Sequence, residues 1–431
     1  MLPPRWSLEP ALKDVDPKSQ AASPTVSGPP PADLLPVPHG WLATLSENKR
    51  MTPDSHWQDV RLISFDVAST SEPLQVNPGD CLTVFPKNFP ADAQKLITLM
   101  EWDSIADQPL DLSSCPSLPR SLHANPQCTL RELLLNHIDI NSIPRRSFLK
   151  NMSYFCTDPD HKERLLEFTM TEYLDEYFDY ATRSRRTIIE VLEEFTSVKI
   201  PASRMLDVFP LIRGRDFSIA NGGDHLRHPS DPSITRVQLL VALVKYRTVL
   251  RKPREGLCSR YLADLPLGTQ LCVGHKPVLS PIHGAANSQR PLIAMATGTG
   301  VAPVRCLIQE RLTHPSPAPV FLFFGNRNRD ADYFFGDEWE AQTKDQLTSF
   351  PAFSRDQREK IYVQDLIRKE SSRISSLIPD NPIFAVCGGS SKMADACKAA
   401  VFEPFLADKD GDEKDAAQKV LDNVTWWQEI W

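Results

Sequence analysis

Six short stretches carry residue types that could do chemistry. Thr297-Gly298-Thr299-Gly300-Val301-Ala302-Pro303 follows an apolar run and opens a helical stretch. Gly298 and Gly300 let the backbone turn tightly and approach a pyrophosphate, and a helix N-terminus supplies free N–H groups and partial positive charge. Ser354, Arg355, Lys360, Tyr362 and Gln364 form a second group. Two cations, a hydroxyl and an aromatic ring suit a ribose carrying a 2′-phosphate, where sites for the unphosphorylated dinucleotide place an acid. In Arg213-Gly214-Arg215-Asp216-Phe217-Ser218, Arg215 can neutralise a pyrophosphate and Phe217 offers a flat face to an isoalloxazine ring. Gly256-Leu257-Cys258-Ser259 is a further phosphate turn leading into a helix at 260–265. Cys387, in Val386-Cys387-Gly388-Gly389, sits at a strand's carboxyl end, where ligands of open α/β sheets lie. The chain closes on Trp426-Trp427-Gln428-Glu429-Ile430-Trp431, and a terminal indole calls for an aromatic partner. Each stretch also has a purely structural reading: a ligand-free glycine turn, a solvated charged turn, a core thiol, terminal packing.

The elements that must position these residues follow from periodicity. Residues 1–40 are rich in Pro, Ser and Ala and read as a linker with too little apolar surface to fold alone. Order begins near Trp41. Ile63, Phe65 and Val67 alternate with polar neighbours in a half-buried strand over 61–67, and Asn77-Pro78-Gly79-Asp80 is a turn into a strand over 81–85. From about 88 to 205 the period becomes helical. Thr129-Leu130-Arg131-Glu132 is a capping box; Leu166, Met170, Tyr173, Leu174 and Tyr177 share a helix face, as do Ile188, Val191, Leu192 and Phe195. Strand patterns return at 211–220, 237–246 and 270–273, which suggests a small antiparallel barrel interrupted by a helical insert. Past 290, apolar runs at 292–296, 320–324, 361–363 and 383–386 alternate with helical stretches such as 304–312 and 392–405, the pattern of a doubly wound parallel sheet. The expected division is a linker at 1–40, a barrel with its insert at 41–285 and the parallel-sheet domain at 286–431.

Composition narrows the classes. The 431 residues carry a net charge of −7 with no Lys/Arg block, which argues against a nucleic-acid or anionic-membrane surface. No apolar run approaches the ~20 residues a bilayer requires, and the first residues lack the pattern of a signal peptide. Nine cysteines without a CxxC pair suit a reducing, cytoplasmic compartment and give no metal site.

In this order the six stretches resemble the reductase half of the diflavin enzymes, a family that includes cytochrome P450 reductase. The resemblance covers roughly 41–431. Within that family, His56-Trp57-Gln58-Asp59-Val60-Arg61, Pro144-Arg145-Arg146-Ser147-Phe148 and Phe323-Phe324-Gly325-Asn326-Arg327-Asn328 are most similar to the diflavin oxidoreductases of cytosolic iron–sulfur assembly. It implies an antiparallel FAD-binding barrel with a helical connecting insert, then an NADPH-binding domain, with hydride passing from NADPH to FAD. Arg215, Phe217 and Ser218 would hold FAD, with Gly256, Leu257, Cys258 and Ser259 at its pyrophosphate. Gly298, Thr299 and Gly300 would lie under the NADPH pyrophosphate, and Ser354, Arg355, Lys360, Tyr362 and Gln364 near the 2′-phosphate. Ser218, Cys387 and Glu429 would surround the reacting atoms, and Trp431 would cover the flavin and step aside. Three departures stand out: Phe217 where many relatives have Tyr, Glu429 where many have Asp, and no FMN loop before residue 41. FMN is therefore expected only from a flavodoxin domain supplied elsewhere, with an iron–sulfur protein of the anamorsin kind as the further acceptor. The rival expectations are a stand-alone ferredoxin–NADP-type reductase, which lacks such an insert, and a silent scaffold paralogue.

Overall fold

The computed structural model describes residues 2, 4–13, 27–69, 72–342, 346–407 and 409–431. Contacts divide the chain into two compact units. One comprises Met1–Gly40, Val84–Arg215 and Leu243–Gly274; the other comprises Trp41–Thr83, Asp216–Ala242 and His275–Trp431. The strands that matter for the site are β1 (Trp41–Arg50), β2 (Val60–Ala68), β3 (Cys81–Val84), β4 (Arg215–Ser218), β5 (Ile234–Ala242) and β6 (Gln270–Lys276), then β7 (Leu292–Thr297), β8 (Val320–Asn326), β9 (Leu347–Phe353), β10 (Ile383–Gly388) and β11 (Thr425–Ile430). The helices named below are α1 (Ile188–Glu194), α2 (Leu257–Asp264), α3 (Val301–Arg311), α4 (Val363–Lys369) and α5 (Ser391–Leu406).

The first six strands form a nearly closed antiparallel barrel in the order β4-β3-β6-β1-β2-β5. β2 pairs with β1 on one side and β5 on the other, Phe65 lying opposite Leu45 and Val237. Just past β4, Ile219 bridges Leu239 of β5 and Ala220 N donates to Gln238 O at 2.7 Å, which carries the sheet round toward closure. The alternation over 61–67 predicts one solvated face, yet Leu62 and Ser64 are buried as well. Leu62 packs into an apolar cluster with Ala220, Val304 and Ile308, so β2 is covered on both faces. Ser64 is tolerated there because its hydroxyl donates to Glu47 at 2.8 Å.

β7–β11 form a parallel sheet in the order β9-β8-β7-β10-β11. Its central strands are apolar throughout, as strands covered on both faces must be. The chain winds outward from β7 to β9, then returns to the other side of β7 for β10 and β11. That reversal leaves a crevice beyond the carboxyl ends of β7 and β10. Arg305 on α3 fastens this sheet's helix to the barrel wall within the same unit. Its guanidinium grips Glu338 at 2.7 and 2.8 Å and donates to Ala220 O and Gln238 Oε1, both at 2.9 Å.

In the other unit the insert is helical, as the periodicity implies. The capping box at Thr129 is present, with Thr129 Oγ1 accepting from Glu132 N at 3.1 Å and Glu132 Oε2 accepting from Thr129 N at 2.7 Å. A second box at Thr187 and Glu190 opens α1.

Four local expectations are corrected. The run 361–363 is no strand: Tyr362 caps α4, its N–H donating to Asp365 at 2.9 Å, and Val363 buries from a helix. The strand in that part of the sheet is β9. The pattern over 237–246 breaks after Ala242, and Lys245–Arg247 pairs instead with Pro253–Glu255 in a separate hairpin. The 211–220 pattern contracts to β4 with single bridges at Leu211 and Ile219. The face from Leu166 to Tyr177 is split between Pro159–Glu167 and Leu174–Tyr177. Residues 14–26 of the expected linker lie outside the described residues. On either side of them the chain is tied down: Leu8 and Ala11 are buried, and the buried Lys87 donates to Pro31 O at 2.8 Å and Asp33 O at 2.6 Å.

Candidate active site

In the unit that contains the parallel sheet, the ends of β7, β8, β9 and β10 and the chain just past β11 converge on one cleft of about 580 Å³. Its lining includes Thr297, Gly298 and Thr299 after β7, Asn326 and Arg327 at and after β8, Ser354 after β9, Gly389 after β10, and Trp431 after β11. Tyr362 and Gln364 from the start of α4 complete one side. Sequence spacing alone does not bring these segments together; the parallel register does, pairing Thr297 with Gly325, Ala296 with Cys387, and Asn326 with Phe353.

The turn after β7 has the form expected of a phosphate cradle. Gly298 sits at φ +54, a conformation that disfavours side chains, and no atom lies within 4 Å of where a Cβ would be. Among the described residues no side chain caps α3, whose N-terminus points from this turn, although the Val301 N–H already donates back to the carbonyls of Gly298 and Thr299. Gly300 has a different reason: a Cβ there would stand 2.3 Å from the Cys387 carbonyl oxygen. Packing against β10 by itself therefore requires glycine at this position.

Ser354 is locked by donating from both its N–H (3.0 Å) and its hydroxyl (3.2 Å) to Asn326 O. Arg355 N donates to Arg327 O at 2.9 Å, which sets the two arginines side by side. Arg355 and Lys360 are exposed and stand outside the cleft's lining, whereas Arg327 is part of it. Burial, reinforced by the charge of Arg355, lowers the Arg327 pKa. Arg327, His56 and Gln58 are lining residues that the sequence reading quoted for the family resemblance but gave no role at the site. The position of Arg327, directly after a parallel strand, was the available signal.

At the end of the sheet nearest the chain terminus, β10 pairs Cys387 with Glu429 of β11. The Glu429 carboxylate accepts a hydrogen bond from the Ser218 hydroxyl at the end of β4. The longer acid thus engages Ser218. Burial raises the Glu429 pKa, with the Ser218 hydrogen bond opposing. Cys387 is fully buried, and burial followed by the charge of Glu429 lifts its thiol well above the ordinary value. It is a protonated thiol, not a nucleophile. Trp431 is 56% exposed, and its N–H donates to Gly388 O at 3.4 Å.

The other unit contains a polar cleft of about 480 Å³ lined by Arg215, Gly256, Leu257, Arg254 and Glu190, among others. Gly256 is the N-cap of α2 and no side chain caps that helix, so its first N–H groups are open to an anion. A Cβ on Gly256 would stand 2.9 Å from Val244 Cβ. The Ser259 hydroxyl accepts from Val244 N at 3.1 Å and donates to Gly256 O at 3.2 Å. Cys258 is buried, its thiol pushed up to about 12 by desolvation. Both residues therefore shape the turn and present backbone, not side chain. Among the described residues Arg215 donates only to the carbonyls of Arg213 (2.8 Å) and Gly214 (3.3 Å), with no carboxylate hydrogen-bonded to it. Arg254, another residue the sequence reading passed over, pairs with Glu190 at 2.6 Å and keeps Nε and Nη2 buried without acceptors among the described residues. A cleft with open helix N–H groups and underused guanidinium donors fits a pyrophosphate.

Comparison with known proteins agrees with this geometry. Residues 37–261 match the FAD binding domain family and residues 294–399 match the oxidoreductase NAD-binding domain family. Three relatives bear the name NADPH-dependent diflavin oxidoreductase 1. That of Gibberella zeae is 65% identical over all of this chain and 72% of its own length. That of Emericella nidulans is 41% identical over 94% of this chain and 66% of its own length. That of Xenopus laevis is 36% identical over 84% of this chain and 59% of its own length. The chain thus spans about two thirds of the relatives it matches. Two domain matches in the expected order, over two clefts shaped for nucleotides, place it: the chain belongs to the NADPH-dependent diflavin oxidoreductase family.

Proposed function

We propose that this chain is an NADPH-dependent flavoprotein reductase that moves hydride from NADPH to FAD. Electrons then pass to an FMN-bearing flavodoxin domain and on to an iron–sulfur protein of the anamorsin kind, in the cytoplasm. The FAD-binding region is taken as 41–285, with its helical insert at about 88–205, and the NADPH-binding region as 286–431. The observation that carries the reading is the convergence of five parallel-strand ends on one cleft, beside the hydrogen-bonded pair Ser218 and Glu429.

Bound FAD supplies the hydride-accepting ring and the means to release electrons one at a time. The chain's own residues bind and position. Arg215 and the backbone of Gly256, Leu257, Cys258 and Ser259 hold the flavin pyrophosphate, and Phe217 gives the ring a flat face. Gly298, Thr299 and Gly300, at the N-terminal end of α3, take the dinucleotide pyrophosphate. Ser354, Arg355, Lys360, Tyr362 and Gln364 select the 2′-phosphate. Ser218 and Glu429 steady the nicotinamide as positive charge develops on it, and Cys387 packs behind them as a neutral wall. Trp431 covers the flavin and moves off when nicotinamide enters. No general base is needed, because hydride transfer depends on distance and exclusion of water.

The test is an absorbance spectrum of the purified chain, then anaerobic titration with NADPH and NADH. Flavin bands that bleach with NADPH and barely respond to NADH are expected. A protein that stays colourless after FAD is added refutes the reading. Among the described residues no helix is long and apolar enough to cross a membrane.

A further inference from the structure

The loop between β1 and β2, residues 51–59, is held by its own hydrogen bonds. Thr52 Oγ1 donates to Gln58 O at 2.9 Å and accepts from Val60 N at 3.2 Å, while Arg50 reaches Pro53 O and Asp54, both at 3.0 Å. So fixed, the loop leaves Trp57 59% exposed. A single exposed indole needs no explanation of its own unless its face is used. Here it is used: the Arg327 guanidinium carbon lies 4.2 Å from the indole centroid. Among the described residues no protein acceptor takes a hydrogen bond from that guanidinium. The nearby Asp332 carboxylate instead accepts from the backbone N–H groups of Arg327 (3.1 Å) and Asn328 (2.7 Å). On the same loop, His56 Nε2 is buried without a partner among the described residues and His56 lines the cleft, so this wall offers a further polar group to a ligand.

We propose that Trp57 is a positioning residue for the dinucleotide cleft: its face holds the Arg327 guanidinium flat and aimed at a phosphate of the dinucleotide. The inference rests on the NADPH reading above. Stacking removes rotamer freedom before the ligand arrives, while leaving all five N–H donors free for an anion. Trp57 itself is not among the cleft's lining residues, so its effect passes through Arg327.

The experiment is calorimetric titration of the flavin-loaded chain with NADP⁺, NAD⁺ and adenosine 2′,5′-bisphosphate. Trp57→Leu is expected to weaken NADP⁺ roughly 3- to 10-fold, the range of a partly desolvated cation–π contact. Trp57→Phe, which keeps a ring face, should stay within about twofold of wild type. In steady state the Leu variant should raise KM for NADPH and leave kcat unchanged. If the phosphate is the ribose 2′-phosphate, NAD⁺ binding is untouched; if it is the pyrophosphate, NADP⁺ and NAD⁺ weaken together. Arg327→Met supplies the control: Trp57→Leu added to it should cost nothing further. Unchanged NADP⁺ binding by the Leu variant overturns the role of Trp57, as does a Phe variant as weak as the Leu variant. A wild-type chain that binds none of the three ligands overturns the dinucleotide reading itself.

Discussion

Replacing Arg254 with Met tests how the cleft lined by Arg215, Gly256 and Glu190 is held together. Arg254 is 7% exposed and donates to both Glu190 carboxylate oxygens, at 2.7 and 2.6 Å. Glu190 also caps α1, so one carboxylate joins that helix to the hairpin strand at Pro253–Glu255. Burial alone would raise the Glu190 pKa, but Arg254, the Thr187 N–H and Lys252 outweigh it and bring it from an ordinary 4.5 to about 2. A displacement of that size corresponds to about 3 kcal/mol, near the lower end of the 3–5 kcal/mol lost when one partner of a buried pair is removed. Because the folded-state pKa is depressed, this stability is fully present above the unfolded value and is lost as pH falls from about 4.5 toward 2. Arg254→Met should therefore lower the melting temperature at pH 7 by roughly 6–12 °C. It should also flatten the decline that wild type shows between pH 5 and pH 3. Calorimetric melts across that range read both effects, and Glu190→Gln in the Arg254→Met background should recover part of the loss. Variant and wild type melting together at pH 7, then falling in parallel on acidification, would refute the account.

Trp431→Ala should improve NADH use relative to NADPH by roughly 2- to 10-fold, the worth of one aromatic stack. The ratio of kcat/KM values reads this, and equal or poorer NADH use counts against a covering role. Glu429→Gln keeps a partner for Ser218 but removes the charge, and should slow hydride transfer in stopped-flow bleaching roughly tenfold to a hundredfold. An unchanged rate would leave that carboxylate without a part in the chemistry. Gly300→Ala drives a Cβ into the Cys387 carbonyl and should cost about 1–3 kcal/mol of stability, read from thermal melts. A variant as stable as wild type would show that β10 yields freely.

Much of the fold was legible because its signals are local. Thr297–Pro303 lies at a strand-to-helix turn, and the box at Thr129 caps its helix. β9 escaped notice because Pro351 interrupts a short run in which Thr348 and Ser349 already break the apolar pattern; at the sheet's edge the missing N–H is tolerated. The apolar pair Ile361 and Val363 suggested a strand, but the cap at Tyr362 decides for helix. β11 carries a strand's composition, yet only its pairing with the distant β10 makes it one. At the candidate site the sequence pointed to Gly298, Ser354, Tyr362 and Trp431, which line the cleft. It could not show that Gly300 serves packing or that Ser259 spends its hydroxyl on Val244, nor could it pair Arg327 with Trp57 or Arg254 with Glu190. Those facts depend on contacts between residues far apart in the chain.

The burial of Cys387 bears on durability. A reduced flavin that meets oxygen makes peroxide at the site of turnover, and an accessible thiolate there would be carried to sulfenic and then sulfinic acid. Buried behind Glu429 with its pKa raised, Cys387 stays protonated and out of reach. If the cleft takes nicotinamide as proposed, the sulfur beside Glu429 is thus one that oxidant leaked by that chemistry does not readily spoil.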